Sequence, residues 1–239
     1  MARPLVTYGV DAAADVRAID IERHGLESRF RVHRRGGTAP LAVSLSVPGR
    51  HNVLNALAAI AVATEVGVSD AAIVRALEHF QGIDRRLQLI AELELGAGHV
   101  TLVDDYGHHP TEVAATLEAV RQGWAGRRVV LAFQPHRYTR TRDLIDDFAR
   151  VLSAADVLLV TEVYAAGEAP IAGADGRAIC RAVRTRGQVE PVFVERVEEL
   201  HSALPGLLRP GDVLVTMGAG NIGAVAHELP QRLARGAAA

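Results

Sequence analysis

The sequence predicts an α/β protein in two parts: a doubly covered parallel sheet from Arg85 onward, preceded by a smaller mixed sheet with two helices. Three observations lead there. Beyond Arg85, short apolar runs alternate with amphipathic helical segments, as in a parallel sheet buried on both faces. Before Arg85, three segments alternate apolar and polar residues like strands of an antiparallel or mixed sheet, and two helical patterns follow. The 239 residues, 49% of them hydrophobic, suffice for one large domain or two small ones.

In chain order, Val16 to Ile21, Ser28 to His33 and Leu41 to Val47 read as strands. Val53 to Val66 is an alanine-rich helix suited to close packing, and Ser69 caps a second helix over Ala71 to Phe80. Strands followed by two helices, with no clear opening unit, look like the back half of a domain. A boundary falls near Gly82 to Asp84, giving domains over 1–84 and 85–239.

Leu87 to Leu95 then turns through Gly96-Ala97-Gly98 into the strand His99 to Val103. Helices over Thr111 to Arg121, Thr141 to Ser153, Gly176 to Arg186, Val197 to Leu208 and Ile222 to Leu233 alternate with further strands. Those strands are Arg128 to Phe133, Val157 to Thr161, Pro191 to Val194 and Asp212 to Thr216. The tail Arg235 to Ala239 reads as disordered.

Composition narrows the function. A net charge of −2 argues against a general nucleic-acid or membrane-surface binder. There is 1 cysteine, Cys180, in an apolar helical pattern, so a disulfide framework and a cysteine-rich zinc site are excluded. No apolar run is long enough to span a membrane, and the first residues lack the apolar core of a signal peptide. The expectation is a cytoplasmic protein. All 26 basic residues are arginine. Without lysine, neither a Schiff base nor a lysine-bearing P-loop can form from these residues. Any phosphate grip must come from arginine, backbone N–H groups or another segment.

The densest chemistry is V-D-D-Y-G-H-H-P-T-E, Val103 to Glu112. It lies where a strand ends and Pro110 opens a helix, the edge at which α/β sheets bind ligands. Asp104 and Asp105 suit a ribose hydroxyl, magnesium or a basic role. His108 and His109 alone make an incomplete zinc site, so polar contacts with substrate are the reading and no metal is assigned. Q-P-H-R-Y-T-R-T, Gln134 to Thr141, ends the next strand. His136, Arg137 and Arg140 there concentrate anion-binding groups. The alternative is a basic loop that only caps its helix through Thr139 or Thr141. The loop lies beside the first cluster if the two strands are neighbours.

Three further motifs carry weaker signals. Pro48-Gly49-Arg50-His51-Asn52-x-x-Asn55 opens the alanine-rich helix and puts Asn52 and Asn55 on one face. A helix N-terminus favours an anion, though Asn52 serves equally as a plain cap. Phe80-Gln81-Gly82-x-x-Arg85-Arg86 marks the proposed junction. Paired arginines suit phosphate, and a solvated pair is the plain reading. Gly218-Ala219-Gly220-Asn221-Ile222-Gly223 has the form of a dinucleotide fingerprint. It lacks the following strand and acidic residue, and reads as a tight turn lining the same cleft.

Together D-D-Y-G-H-H-P-T-E, F-Q-P-H-R-Y-T-R-T, P-G-R-H-N-x-x-N and F-x-G-x-x-R-R, in their order here, resemble the Mur ligases of peptidoglycan synthesis. Within that family the resemblance is to the ligases that join L-alanine to UDP-N-acetylmuramate. It covers essentially the whole chain. It implies a C-terminal Rossmann-like domain preceded by the back half of the central ATPase domain.

The implied reaction uses ATP and Mg2+. A substrate carboxylate is phosphorylated to an acyl phosphate, which the amino group of L-alanine attacks. The resemblance places His51, Asn52 and Asn55 near the nucleotide, and Arg86, with Arg85 beside it, at the terminal phosphate. It places Asp105 at the ribose, and Tyr106 and His108 at the nucleotide and amino-acid region. His136, Arg137 and Arg140 hold the UDP-sugar and the alanine carboxylate. Arg86, His108 and Arg140 are the expected catalytic residues.

The family's UDP-sugar domain, P-loop and most magnesium ligands have no counterpart in these residues. The expectation is therefore that the chain is inactive alone and acts with a separate N-terminal ligase portion, or that the sequence is incomplete. The alternatives are a ligase of the same family that recycles murein tripeptide, which shares a similar H-H-P-T turn, and a non-catalytic nucleotide-binding module.

Overall fold

A computed structural model describes residues 5–11, 13–37, 39–95 and 98–236. The described residues divide into two compact units, Met1–Gly82 and Ile83–Ala239. The expected Gly96-Ala97 turn and the end of the tail, 237–239, lie outside the described residues.

The first unit is a four-stranded sheet, β1 (Tyr8–Gly9), β2 (Val16–His24), β3 (Glu27–Arg34) and β4 (Leu41–Leu45), in that spatial order. β1 runs parallel to β2, and β2, β3 and β4 are antiparallel. Two helices follow, α1 (Arg50–Glu65) and α2 (Asp70–Glu78). Along β3 the inward residues Ser28, Phe30 and Val32 alternate with outward arginines and a histidine, the signature of a sheet with one wet face. Phe30, Val32 and Val43 pack against Val53, Leu57 and Ile60 of α1. β2 continues past the expected Ile21 because a bulge, with Asp20 at φ 52°, lets the ladder resume at Glu22. Ser69 occupies the N-cap of α2 but makes no capping hydrogen bond with its side chain. The two-residue β1 is too short to leave a sequence pattern.

The second unit is a six-stranded sheet built from β5 (Gln88–Leu95), β6 (Gly98–Asp105), β7 (Val129–Phe133), β8 (Val157–Thr161), β9 (Pro191–Val194) and β10 (Val213–Met217). Its spatial order is β5-β6-β10-β7-β8-β9. β5 is antiparallel to β6, and every other pairing is parallel. β6 and β7 are thus not neighbours: β10 lies between them. This corrects the condition under which the two polar clusters were expected to lie side by side.

Period two sorts the strand residues between two cores. Val129, Leu131 and Phe133 of β7 face α3 (Pro110–Gly123), α5 (Ile145–Leu152) and α6 (Gly176–Arg186), meeting Val113, Phe148 and Ile179. Val130 and Ala132 face the other way, toward α7 (Leu200–Ala203) and α8 (Ile222–Gly236), in one cluster with Leu200, Ile222 and Leu229. Helix ends follow local chemistry. Asp175 caps α6 by accepting the Ala178 N–H at 2.6 Å, and Gly187 ends it at φ 67°.

Two helices differ from expectation. The single helix over 141–153 is two: α4 (Tyr138–Asp143) and α5, broken at Leu144, whose φ of −122° is not helical. The amphipathic stripe runs across that break, so periodicity joins what the backbone separates. The expected helix over 197–208 is a 3-10 turn, Val197–Glu199, followed by the short α7. Pro205-Gly206 stops it early.

Candidate active site

The carboxyl ends of β6, β10 and β7 form the crevice that carries the polar motifs. α3 leaves β6 toward one face of the sheet, and α8 leaves β10 toward the other. Backbone therefore diverges above these strands and leaves room for a ligand.

At the end of β6 both aspartates turn inward. Asp104 is fully buried; its Oδ2 accepts from Arg85 Nε at 2.9 Å, and its Oδ1 accepts from Thr216 Oγ1 at 2.7 Å. Asp105 is 4% exposed. Its Oδ2 accepts the Leu87 N–H at 2.8 Å and its Oδ1 the Gly107 N–H at 2.7 Å. Burial pushes the Asp105 carboxyl above its usual range, against the pull of those two amides and of Arg86. The Asp105 carboxylate thus braces the turn that presents Tyr106 and His108.

Arg85 is likewise an internal brace. Besides Asp104, its guanidinium donates to the carbonyls of Gly218 and Gly220. A side chain at Gly223 would collide with it, which accounts for that glycine. Gly218 and Gly220 are needed for close approach too: a Cβ at either would meet Gln134, and at Gly220 also Tyr164. The G-x-G-x-x-G form thus records three close contacts, consistent with the tight turn read from sequence. Gln134 fixes this turn: its Nε2 donates to Asn221 Oδ1 at 2.8 Å, and its Oε1 accepts the Ile222 N–H at 3.1 Å.

The open face of the crevice belongs to the neighbouring side chains. Arg86 is 46% exposed, 3.4 Å from Glu112 Oε1. The guanidinium groups of Arg85 and Arg86 lie 5.0 and 5.5 Å from the centre of the Tyr106 ring. His108 stands edge-on to Tyr106 with centroids 5.4 Å apart. Its Nδ1 lies 3.1 Å from the Tyr106 carbonyl, and its N–H donates to Glu112 Oε2 at 2.9 Å. The same Oε2 accepts the His109 N–H, while His109 Nδ1 accepts the Thr111 N–H at 3.3 Å. His109 is therefore the cap of α3. Burial raises the pKa of Glu112, but the His108 N–H, the His108 ring and the His109 N–H outweigh it and hold the carboxyl below its usual 4.5.

Across β10, the loop after β7 brings His136 to 5.6 Å from His108, centroid to centroid. Arg140, one helical turn on, donates from Nη1 to the His136 carbonyl at 3.0 Å, and the same nitrogen lies 3.2 Å from His136 Nδ1. Burial, His108, Arg140 and Arg137 together lower the His136 pKa from its ordinary 6.5. Arg137 is half exposed and holds φ 73°, unusual for a side chain with a Cβ. Thr141 Oγ1 donates to its carbonyl at 3.0 Å, so Thr141 steadies the first turn of α4 from within.

The sequence reading missed the loop after β8. Tyr164 stacks on His136, with centroids 5.5 Å apart and planes at 13°. Glu168 accepts from the Thr139 N–H at 3.0 Å and from Thr139 Oγ1 at 2.7 Å. The only sequence signal was a tyrosine and a glutamate in a Gly/Pro loop at the same sheet edge.

The structure therefore brings Arg86, Tyr106, His108, His136 and Arg140 to one crevice, with Arg137 at its rim and Arg85 and Asp105 behind it. His51, Asn52 and Asn55 belong to the first unit, at the start of α1. Gly49, at φ 99°, is the N-cap, so Asn52 lies inside the first turn. Its Nδ2 donates to the Pro48 carbonyl at 2.7 Å, and Asn55 Nδ2 lies 3.4 Å from Asn52 Oδ1. Among the described residues, no three His, Cys, Asp or Glu side chains converge as metal ligands.

Comparison with known proteins agrees with this layout. Residues 85–220 match the Mur ligase, glutamate ligase domain, and residues 2–63 match the Mur ligase middle domain. UDP-N-acetylmuramate–L-alanine ligase of Methylococcus capsulatus is 58% identical over 233 residues, covering 98% of this chain and 49% of the relative. The crystal structure of UDP-N-acetylmuramate–alanine ligase from Thermotoga maritima is 29% identical with a TM-score of 0.80, over 97% of this chain and 48% of its own. A murein peptide ligase from Psychrobacter arcticus is 26% identical with a TM-score of 0.65, over 95% of this chain and 46% of its own. The chain spans about half the length of these relatives. With sequence, topology and domain matches in accord, the chain belongs to the Mur ligase family.

Proposed function

We propose that the chain supplies the ligase domain, residues 85–239, and part of the central domain, residues 1–84, of a cytoplasmic enzyme that joins L-alanine to UDP-N-acetylmuramate with ATP. The observation that carries this reading is the meeting of His108 with His136 and Arg140 across β10, backed by 58% identity to a ligase of that name. A cationic and imidazole-lined crevice fits an anionic substrate that becomes more anionic as it reacts.

In this reading ATP phosphorylates the sugar carboxylate, and the alanine amine then displaces phosphate. Arg140 and His136 bind a carboxylate through charge-assisted hydrogen bonds. Arg137, at the rim, meets the incoming UDP-sugar. His108 faces the reacting amine and phosphate. Arg86, exposed beside Tyr106, contacts the terminal phosphate. Tyr106 packs near the nucleotide, while Arg85 and Asp105 hold Arg86, Tyr106 and His108 in place. In the first unit, His51, Asn52 and Asn55 approach the nucleotide. Most of the Mg2+ ligands are proposed to come from the N-terminal portion, since among the described residues no three His, Cys, Asp or Glu side chains converge. These residues carry no P-loop lysine, and the 239-residue chain alone is proposed to be inactive.

The test mixes this chain with a separately expressed N-terminal portion of a related alanine ligase. ATP, Mg2+, UDP-N-acetylmuramate and L-alanine are supplied and phosphate release is followed. Release that needs both pieces and L-alanine supports the reading. A preference for murein tripeptide would move the chain to the recycling branch, and nucleotide binding without turnover would make it a binding module.

A further inference from the structure

We infer that Glu168, with Tyr164, is a positioning residue for the anion receptor of His136 and Arg140; this rests on the ligase reading above. The loop after β8 holds the receptor loop at four points. Arg137 N–H donates to the Tyr164 carbonyl at 2.9 Å, and Tyr164 N–H donates to the Pro135 carbonyl at 2.8 Å. The Tyr164 ring lies flat on His136. Glu168 receives both donors of Thr139.

The arrangement has a purpose that Thr139 alone does not explain. Arg137 sits between these contacts at φ 73°, a conformation that costs free energy and needs surrounding bonds to persist. Reversing that dihedral would turn His136 relative to the start of α4, and so relative to Arg140. Glu168 also lies 3.7 Å from Arg137 Nη1 and is 19% exposed. Its Thr139 bonds hold its carboxyl below the usual range, so it is charged at neutral pH. It therefore offsets part of the charge of Arg137 at the rim, while Arg140 is held against His136 within the crevice. Gly220 completes the device: only a residue without a Cβ leaves room for Tyr164 over the imidazole.

The experiment compares the wild-type chain with Glu168→Ala and Glu168→Gln. In the complemented ligase assay, Glu168→Ala raises the KM for L-alanine roughly tenfold, the worth of one well-made hydrogen bond, with a smaller change in kcat. Glu168→Gln restores most of it, because the amide oxygen still accepts the Thr139 N–H. On the isolated chain, NMR reads the His136 ring protons. Glu168→Ala removes the ring-current shift from Tyr164 and lowers the His136 pKa; Glu168→Gln keeps the shift and still lowers the pKa.

A variant Glu168→Ala with unchanged His136 signals overturns the inference, whether or not the assay shows ligation. So does an unchanged KM in an active complemented enzyme. Wild-type chain that gives no ligation, with His136 signals moving as expected, rejects the ligase reading while keeping the positioning role.

Discussion

The imidazoles of His108 and His136 meet at 5.6 Å although a whole strand separates the strands that carry them. Two strand spacings are bridged because the turn after β6 and the loop after β7 lean toward each other over the glycine turn that ends β10. Gly218 and Gly220 let Gln134 close onto that turn, and Gly220 admits Tyr164 as well, because a Cβ at either position would collide with them.

This proximity has a pH signature. Burial, His108 and the arginines depress the His136 pKa below 6.5. A depressed folded-state pKa means that the neutral imidazole stabilises the fold above about pH 6.5, and that this stability is lost as pH falls through the folded-state value. His136 will therefore titrate below the unperturbed histidine value in an NMR pH series. Arg140→Gln will move it upward, since one of the repelling charges is gone.

Arg85 should matter to stability more than a surface arginine. Asp104 is fully buried and depends on it. Arg85→Leu leaves that carboxylate without its cation and is expected to cost about 3–5 kcal/mol in urea unfolding. Gly223→Ala should destabilise for the same reason, by displacing the guanidinium from its seat.

Arg140→Ala should leave unfolding nearly unchanged yet reduce phosphate release by the complemented enzyme about 10–100-fold, the loss of one charged hydrogen bond to substrate. Arg142→Ala is the control: that side chain points outward, paired with Asp143 at 2.7 Å. An equal loss from both variants would count against the receptor assignment.

Cys180 is buried in the core beside Ile179 and Val183, and burial raises its thiol pKa to about 11. At pH 7 it should resist a thiol reagent in the native chain and react on addition of denaturant. The sequence reading placed it in core packing, and its 1% exposure accords with that.

What was legible in the sequence follows physical scale. The strands β7, β8 and β10 announce themselves as mostly apolar runs because both faces are buried. The polar clusters stood out because so many titratable groups in one turn exceed what a turn needs. Strand order was not legible, since nothing local in β10 tells it to enter between β6 and β7. Nor were the partners of Asp105: the Leu87 and Gly107 amides that its carboxylate accepts leave no mark in the local sequence. Tyr164 and Glu168 were missed for a related reason. Their partners, His136 and Thr139, lie 28 and 29 positions away in the chain, beyond any local pattern.

The insertion of β10 also sets an order of events at the ribosome. β6 and β7 are both made well before Val213–Met217 emerges, and until then each presents an unpaired edge in the middle of the future sheet. The two halves of the crevice acquire their spacing only when that late strand slides between them. A nascent chain stalled short of Met217 would expose two adhesive edges and have no assembled crevice, so synthesis, quality control and activity converge on one five-residue segment.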